Sequence, residues 1–287
     1  MADLPFAKGQ ALGNDYLVLA AADLPWTLTP ERVRVLCDRH HGVGSDGVLL
    51  AILGDDRFQL RIYNPDGSEA EKSGNGLRIF AAYLHDRGLV GEEPFQVELP
   101  GDTVTMQILR EEGEGAVLVR AAMGVPSFQA EAIGFLAAKG VVSEVELDLG
   151  DGLSATVHPV SMGNPHCVVR VDDLVRDDFL RRAPRLSTHS AFRAGTNVQF
   201  ARVTGPGSLQ AWIYERGAGE TLASGSSACA VAAVAHRNGW ISESEVVIEM
   251  PGGNAVVSLD DDGMVRLEGP AQIVYHGVIR SEVAASW

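Results

Sequence analysis

Ser-Gly-Asn-Gly-Leu-Arg-Ile-Phe-Ala-Ala at 73–82 and Ser-Gly-Ser-Ser-Ala-Cys-Ala-Val-Ala-Ala at 224–233 decide how the rest of the chain is read. Both stretches follow a glycine-containing loop that carries a glutamate. Both then run straight into a helix built of small and apolar residues. The first helix is expected from about Asn75 to Arg87, with Leu77, Phe80, Ala81 and Leu84 as its apolar stripe and Gly88 as its stop. The second is expected from about Ser226 to Arg237, ending near Asn238 and Gly239. Ser73 and Ser224 are 151 positions apart in a chain of 287. An offset of about half the length reads as a duplicated domain.

The flanking patterns repeat in the same order. Short apolar runs at 16–19 and 47–53 precede the alternating Phe-Gln-Leu-Arg-Ile-Tyr of 58–63 and the turn Asn-Pro-Asp-Gly of 64–67. Strands are expected at 95–99, 103–109 and 116–121, the last two joined by a Gly-Glu-Gly turn. The second half offers strands at 144–149, 153–158, 165–171, 196–203 and 208–215. After its helix come strands at 244–249, 253–259, 263–268 and 271–280. The segment from Asp172 to Arg185, acidic and then arginine-rich, reads as a surface linker. The expected class is α/β (α+β). Residues 1–121 with a C-terminal strand in 270–287 form one half, and 122–269 form the other.

Bulk composition narrows the function. The chain is 46% hydrophobic, enough for a substantial core over two domains. Its 23 basic and 38 acidic side chains give a formal charge of −15. No basic stretch offsets that charge, which argues against a nucleic-acid partner. No run approaches the ~18 uncharged apolar residues of a membrane span, and the N-terminal Met-Ala-Asp-Leu-Pro-Phe lacks the form of a signal peptide. Cys37, Cys167 and Cys229 are sparse and odd in number, so the expected setting is a reducing cytoplasm. His40, His41, His158 and His166 form no ligand pattern, so no metal site is expected.

A helix start leaves backbone N–H groups unpaired and carries partial positive charge, which suits a carboxylate or phosphate. Two such starts can grip one carboxylate and stabilise negative charge that develops on it. Removal of an α-proton pushes charge into that group, so the pattern fits chemistry at a carbon beside a carboxylate. It fits passive anion binding as well. Asn14, Asn64, Asn164 and Asn197 sit in loops or turns and can offer amide groups to a zwitterion; Glu215 and Arg216 can bind an ammonium and a carboxylate. The loop Gly42-Val43-Gly44-Ser45-Asp46-Gly47 lacks dinucleotide-binding spacing.

Taken together the motifs resemble the diaminopimelate epimerase family. The carriers are Lys-Gly-Gln-Ala-Leu-Gly-Asn-Asp-Tyr at 8–16, His-Gly-Val-Gly-Ser-Asp-Gly-Val-Leu-Leu at 41–50 and Asn-Pro-Asp-Gly-Ser-Glu-Ala at 64–70. They continue with Gly-Asn-Gly-Leu-Arg at 74–78, Met-Gly-Asn-Pro-His at 162–166, Gly-Thr-Asn-Val-Gln-Phe at 195–200 and Glu-Arg-Gly-Ala-Gly-Glu-Thr-Leu-Ala at 215–223. The series in this order spans nearly the whole chain. The resemblance implies two pseudo-symmetric, strand-rich, barrel-like domains, each around a central helix, with the active site in the interdomain cleft. It implies conversion of LL- to meso-diaminopimelate without pyridoxal phosphate or metal, by a homodimer. It also implies that Asn14, Asn64, Asn164, Asn197, Glu215 and Arg216 hold the substrate, and that the amides of Gly74, Asn75, Gly225 and Ser226 hold the reacting carboxylate.

The family's two catalytic cysteines stand where this chain has Ser73 and Ser224. A thiol of pKa about 8.5 reaches its thiolate near neutrality, whereas a serine hydroxyl needs an adjacent base. Lys72 and His166 are the candidate helpers. Three functions fit this departure: a diaminopimelate epimerase working through serines; a divergent racemase, dehydratase or isomerase of another amino acid; and an amino-acid-binding protein without catalysis.

Overall fold

A computed structural model describes residues 3–54 and 57–284; the reading of the N-terminus that rests on Met1 and Ala2, and the end of the 270–287 segment, lie outside the described residues. The chain divides into two compact units, 1–121 with 269–287, and 122–268.

The first unit opens with an antiparallel hairpin, β1 (Leu4–Ala11) and β2 (Asn14–Ala20), turning through Leu12 and Gly13, both left-handed. Helix α1 (Pro30–Cys37) follows, with Thr29 capping it and Pro30 at its first position. Then come β3 (Val48–Leu53), β4 (Phe58–Tyr63), the short β5 (Glu69–Ala70) and helix α2 (Gly74–Asp86). Strands β6 (Phe95–Leu99), β7 (Asp102–Glu112) and β8 (Ala116–Gly124) follow α2.

The chain continues through a one-turn helix, α3 (Ala130–Ile133), and into β9 (Val145–Gly150), β10 (Leu153–Ser161) and β11 (Pro165–Arg170). Helix α4 (Arg176–Ser187), β12 (Asn197–Gly205), β13 (Ser208–Glu215), β14 (Gly219–Thr221) and helix α5 (Gly225–Arg237) come next. The last elements are β15 (Glu245–Met250), β16 (Gly253–Leu259), β17 (Val265–Ile279) and a final turn of helix, α6 (Ser281–Ala284).

The same pairing pattern builds each unit. In the first, β1–β2 is antiparallel, β2–β3 parallel, β3–β4 antiparallel, β4–β6 parallel and β6–β7 antiparallel. In the second, β10–β11, β11–β12, β12–β13, β13–β15 and β15–β16 follow the same alternation. Each unit is thus a strand-rich, barrel-like body around a central helix. Helices α2 and α5 are both 13 residues long and start 151 positions apart. Residues 74–84 of α2 and 225–235 of α5 are buried on every side, as expected of a helix encased by strands rather than laid on a surface. In α2, burial of Leu77, Ile79, Phe80 and Leu84 stabilises by about 1.5–3 kcal/mol for each side chain. In α5 alanines fill much of that role.

Two expectations are corrected. The 172–185 linker is mostly helix: α4 turns Phe179, Ala183 and Leu186 inward, and Phe179 meets Phe200 and Trp212 edge-on at 5.3 and 5.6 Å. The two strands expected at 263–268 and 271–280 are one, β17. It runs on through Gly269, where a Cβ would lie 1.8 Å from Nη1 of the fully buried Arg78. Among the described residues no helix is long and apolar enough to cross a membrane.

Candidate functional site

In the first unit the start of α2 gathers the polar groups. Ser73 is its N-cap in extended geometry, and its Oγ accepts from the backbone N–H of Gly76 at 3.1 Å. The Tyr16 hydroxyl lies 3.4 Å from that same Oγ. Tyr16 is held there by a close fit: a Cβ on Gly47 would come within 2.5 Å of its ring. The glycine-spaced loop 42–47 thus has packing work beneath β2.

Asn75 is buried at the second helical position and donates to Asn14 Oδ1 at 3.1 Å, while its own Oδ1 accepts from Arg78 at 2.6 Å. Asn14 Nδ2 donates to Asp46 at 3.0 Å. Burial, and then the Asp15 carboxyl beside it, push the Asp46 carboxyl up. Burial also works to raise Asp15, but hydrogen bonds with Arg39, Lys8 and Asp46 outweigh it and hold that carboxyl below its usual range. The structure therefore joins Ser73, Asn75 and Asn14 around one helix start. Asn64 sits apart from this chain of bonds and donates to Ser68 at 3.0 Å within its own turn. Lys72 carries its ammonium to Asp102 at 3.0 Å.

In the second unit the start of α5 is the counterpart. Ser224 is the N-cap, in nearly the same backbone geometry as Ser73, but its side chain makes no capping hydrogen bond. Ser224, Gly225, Ser226 and Ser227 are buried. Ser227 is tied into a chain that leads away from the helix: Gln199 Nε2 donates to Ser227 Oγ at 2.9 Å and meets His166 Nδ1 at 3.0 Å. His166 Nε2 in turn meets Asn164 Oδ1 at 2.9 Å. Burial, then the charge of Arg216, push the His166 imidazole down to about 3, so the ring is neutral at physiological pH.

Parallel pairing of β11 with β12 sets His166 opposite Asn197. Asn197 Nδ2 donates to the carbonyl of Pro165 at 3.2 Å, and its Oδ1 accepts from the Arg216 backbone N–H at 3.0 Å. Asn164, His166, Asn197 and Arg216 therefore form one connected group. Glu215 closes β13 opposite Gly219, just ahead of the loop that leads into α5.

Sequence reasoning missed Tyr16, Arg78, Gln199 and Ser227 as site groups. The partners of Tyr16, Gln199 and Ser227 are distant in sequence, as with the 57 positions between Tyr16 and Ser73, so no local pattern announces them. Arg78 bonds Asn75 only three positions away, but inside a helix face that reads as core. The three cysteines are buried, and Cys229 lies within α5 past its first turn. Burial pushes the Cys37 and Cys167 thiols up, away from the reactive thiolate form. Among the described residues no group of three or more His, Cys, Asp or Glu could hold a metal ion.

Residues 6–129 and 159–274 match the family described as diaminopimelate epimerase. Diaminopimelate epimerase 2 of Nostoc sp. is 41% identical over 284 residues, covering 98% of each chain. The diaminopimelate epimerase of Desulfitobacterium hafniense is 39% identical over 282 residues, covering 96% of this chain and 98% of its own. A solved structure of a hydroxyproline epimerase from Agrobacterium vitis superposes with a TM-score of 0.74 at 13% identity, over 98% of this chain and 94% of that one. At that identity the likeness is one of fold.

Proposed function

This chain belongs to the diaminopimelate epimerase family, and on that premise we propose that it converts LL-diaminopimelate to the meso form by exchanging the proton at one α-carbon, without pyridoxal phosphate or metal. The observation that carries the reading is similarity at about 40% identity over the full length of family members. By the same reading the enzyme is a homodimer of the cytoplasm.

In this mechanism Ser73 and Ser224 occupy the positions of the family's two cysteines and serve opposite faces of the α-carbon. One, as its alkoxide, takes the α-proton and becomes the hydroxyl, while the other, as its hydroxyl, gives a proton to the opposite face and becomes the alkoxide. The electron pair left on carbon spreads into the carboxylate. Backbone N–H groups of Gly74 and Asn75 at one helix start, and of Gly225 and Ser226 at the other, meet that developing charge. Asn14, Asn64, Asn164, Asn197, Glu215 and Arg216 bind the ammonium and carboxylate groups at the two ends of the substrate.

A serine hydroxyl is a poor acid, so each serine needs help. At Ser73 the group in reach is the Tyr16 phenol, 3.4 Å away. An ordinary phenol titrates near 10, well below an alcohol. The Lys72 ammonium is engaged by Asp102. The test is chiral separation after incubation with LL-diaminopimelate. Meso product formed without added cofactor supports the reading, and recovery of only the LL form overturns it.

A further inference from the structure

Gln199 has one amide nitrogen and two hydrogen atoms to give. Two acceptors meet that nitrogen, His166 Nδ1 at 3.0 Å and Ser227 Oγ at 2.9 Å, and all three residues are fully enclosed. A ring nitrogen that accepts a hydrogen bond carries no proton of its own. The neutral imidazole therefore carries its proton on Nε2, and Nε2 donates to Asn164 Oδ1 at 2.9 Å. With its oxygen taken, the half-buried Asn164 has its NH2 group to offer a ligand.

The opposite direction has a higher cost. It would set the Gln199 oxygen against both neighbours and strand both amide hydrogens in the core. Among the described residues the observed direction leaves Gln199 Oε1 without a hydrogen-bond partner, and an under-used carbonyl oxygen is tolerated better than buried N–H groups. The two directions also present opposite chemistry. One offers a donor suited to a carboxylate, and the other an acceptor suited to an ammonium.

We propose that Gln199, anchored on Ser227 in the first turn of α5, is a positioning residue: it fixes His166 as the Nε2–H tautomer and so turns the Asn164 NH2 toward a carboxylate oxygen of the substrate. The second half of this statement rests on the substrate-binding role given to Asn164 above. His166 is then neither base nor acid in the reaction; it holds Asn164 in one orientation.

The experiment is 15N NMR of the full chain labelled at histidine, with His166 identified among the eight histidines by the signal lost in His166→Asn. In the unsubstituted protein Nε2 carries the proton and Nδ1 carries none. In Gln199→Glu the carboxylate accepts rather than donates, and Nδ1 becomes protonated. The near-isosteric Gln199→Met, which keeps the core filled if the charged variant fails to fold, loses the single tautomer and shows a mixture. Both variants raise KM for diaminopimelate about tenfold, the equivalent of one hydrogen bond, with kcat within about threefold. A protonated Nδ1 in the unsubstituted protein, or a tautomer unmoved by both variants, overturns the proposal. A tautomer that shifts while KM stays fixed overturns the substrate half, and with it the binding role of Asn164, while tautomer control by Gln199 stands.

Discussion

Ser73 and Ser224 cap two helices of equal length in nearly equal backbone geometry, yet their hydroxyls are used differently. Ser73 Oγ accepts from Gly76 and lies beside Tyr16, whereas the Ser224 side chain makes no capping bond. The third helical position differs too. Gly76 lies close beneath Leu49, where a Cβ would meet a methyl at 3.1 Å, while Ser227 carries a hydroxyl that holds Gln199. A duplicated backbone thus supports two chemically distinct ends. At the first, the Tyr16 phenol lies 3.4 Å from the serine hydroxyl. At the second, a buried chain of side chains leads away from the helix to orient Asn164.

Replacing the serines probes that contrast most strongly. Ser73→Ala and Ser224→Ala are each expected to lower epimerisation about 100- to 10,000-fold, the usual cost of losing an acid–base group. Steady-state rates with LL-diaminopimelate check this. A large loss in only one variant would break the pairing of the two ends.

Acid stability separates the ends next, because the buried imidazole belongs to the second. The His166 pKa lies at about 3, below its ordinary 6.5. Above pH 6.5 the group is neutral folded or unfolded and costs nothing. As pH falls from 6.5 toward 3, the unfolded chain takes up a proton that the folded chain refuses, and stability is lost. Between pH 7 and 5 the loss from this group is about 2 kcal/mol. Denaturant titrations at both pH values should show a flatter dependence in His166→Gln, by that amount.

The smallest effect concerns capping. Ser73→Ala should cost about 1 kcal/mol of stability, as loss of an N-cap bond does. Ser224→Ala should stay within about 0.5 kcal/mol, since no capping bond is lost. Equal costs in urea unfolding would mean that the two hydroxyls are not differently engaged.

Much of this was legible in the sequence. Both central helices show because apolar period and glycine stops agree. Helix α4 does not, since its inward set of Phe179, Ala183 and Leu186 is buried among charged neighbours that read as solvated surface. Strand β1 hides for another reason: Lys8, Gly9 and Gln10 interrupt its apolar pattern, although Lys8 is paired with Asp15 and nearly enclosed. The break read between 268 and 271 is an accommodation of Arg78 by Gly269. Single candidate residues could be proposed from their motifs. Their partners were not, because the contacts of Ser73 with Tyr16 and of Ser227 with Gln199 span 57 and 28 positions.

The proton exchange proposed for Ser73 and Ser224 can be tested directly by running the reaction in deuterated water. Meso-diaminopimelate should appear carrying deuterium at the inverted α-carbon, with the signal lost in both serine variants. Meso product free of deuterium, or no meso product at enzyme levels comparable with substrate, would contradict proton exchange as the reaction of this protein.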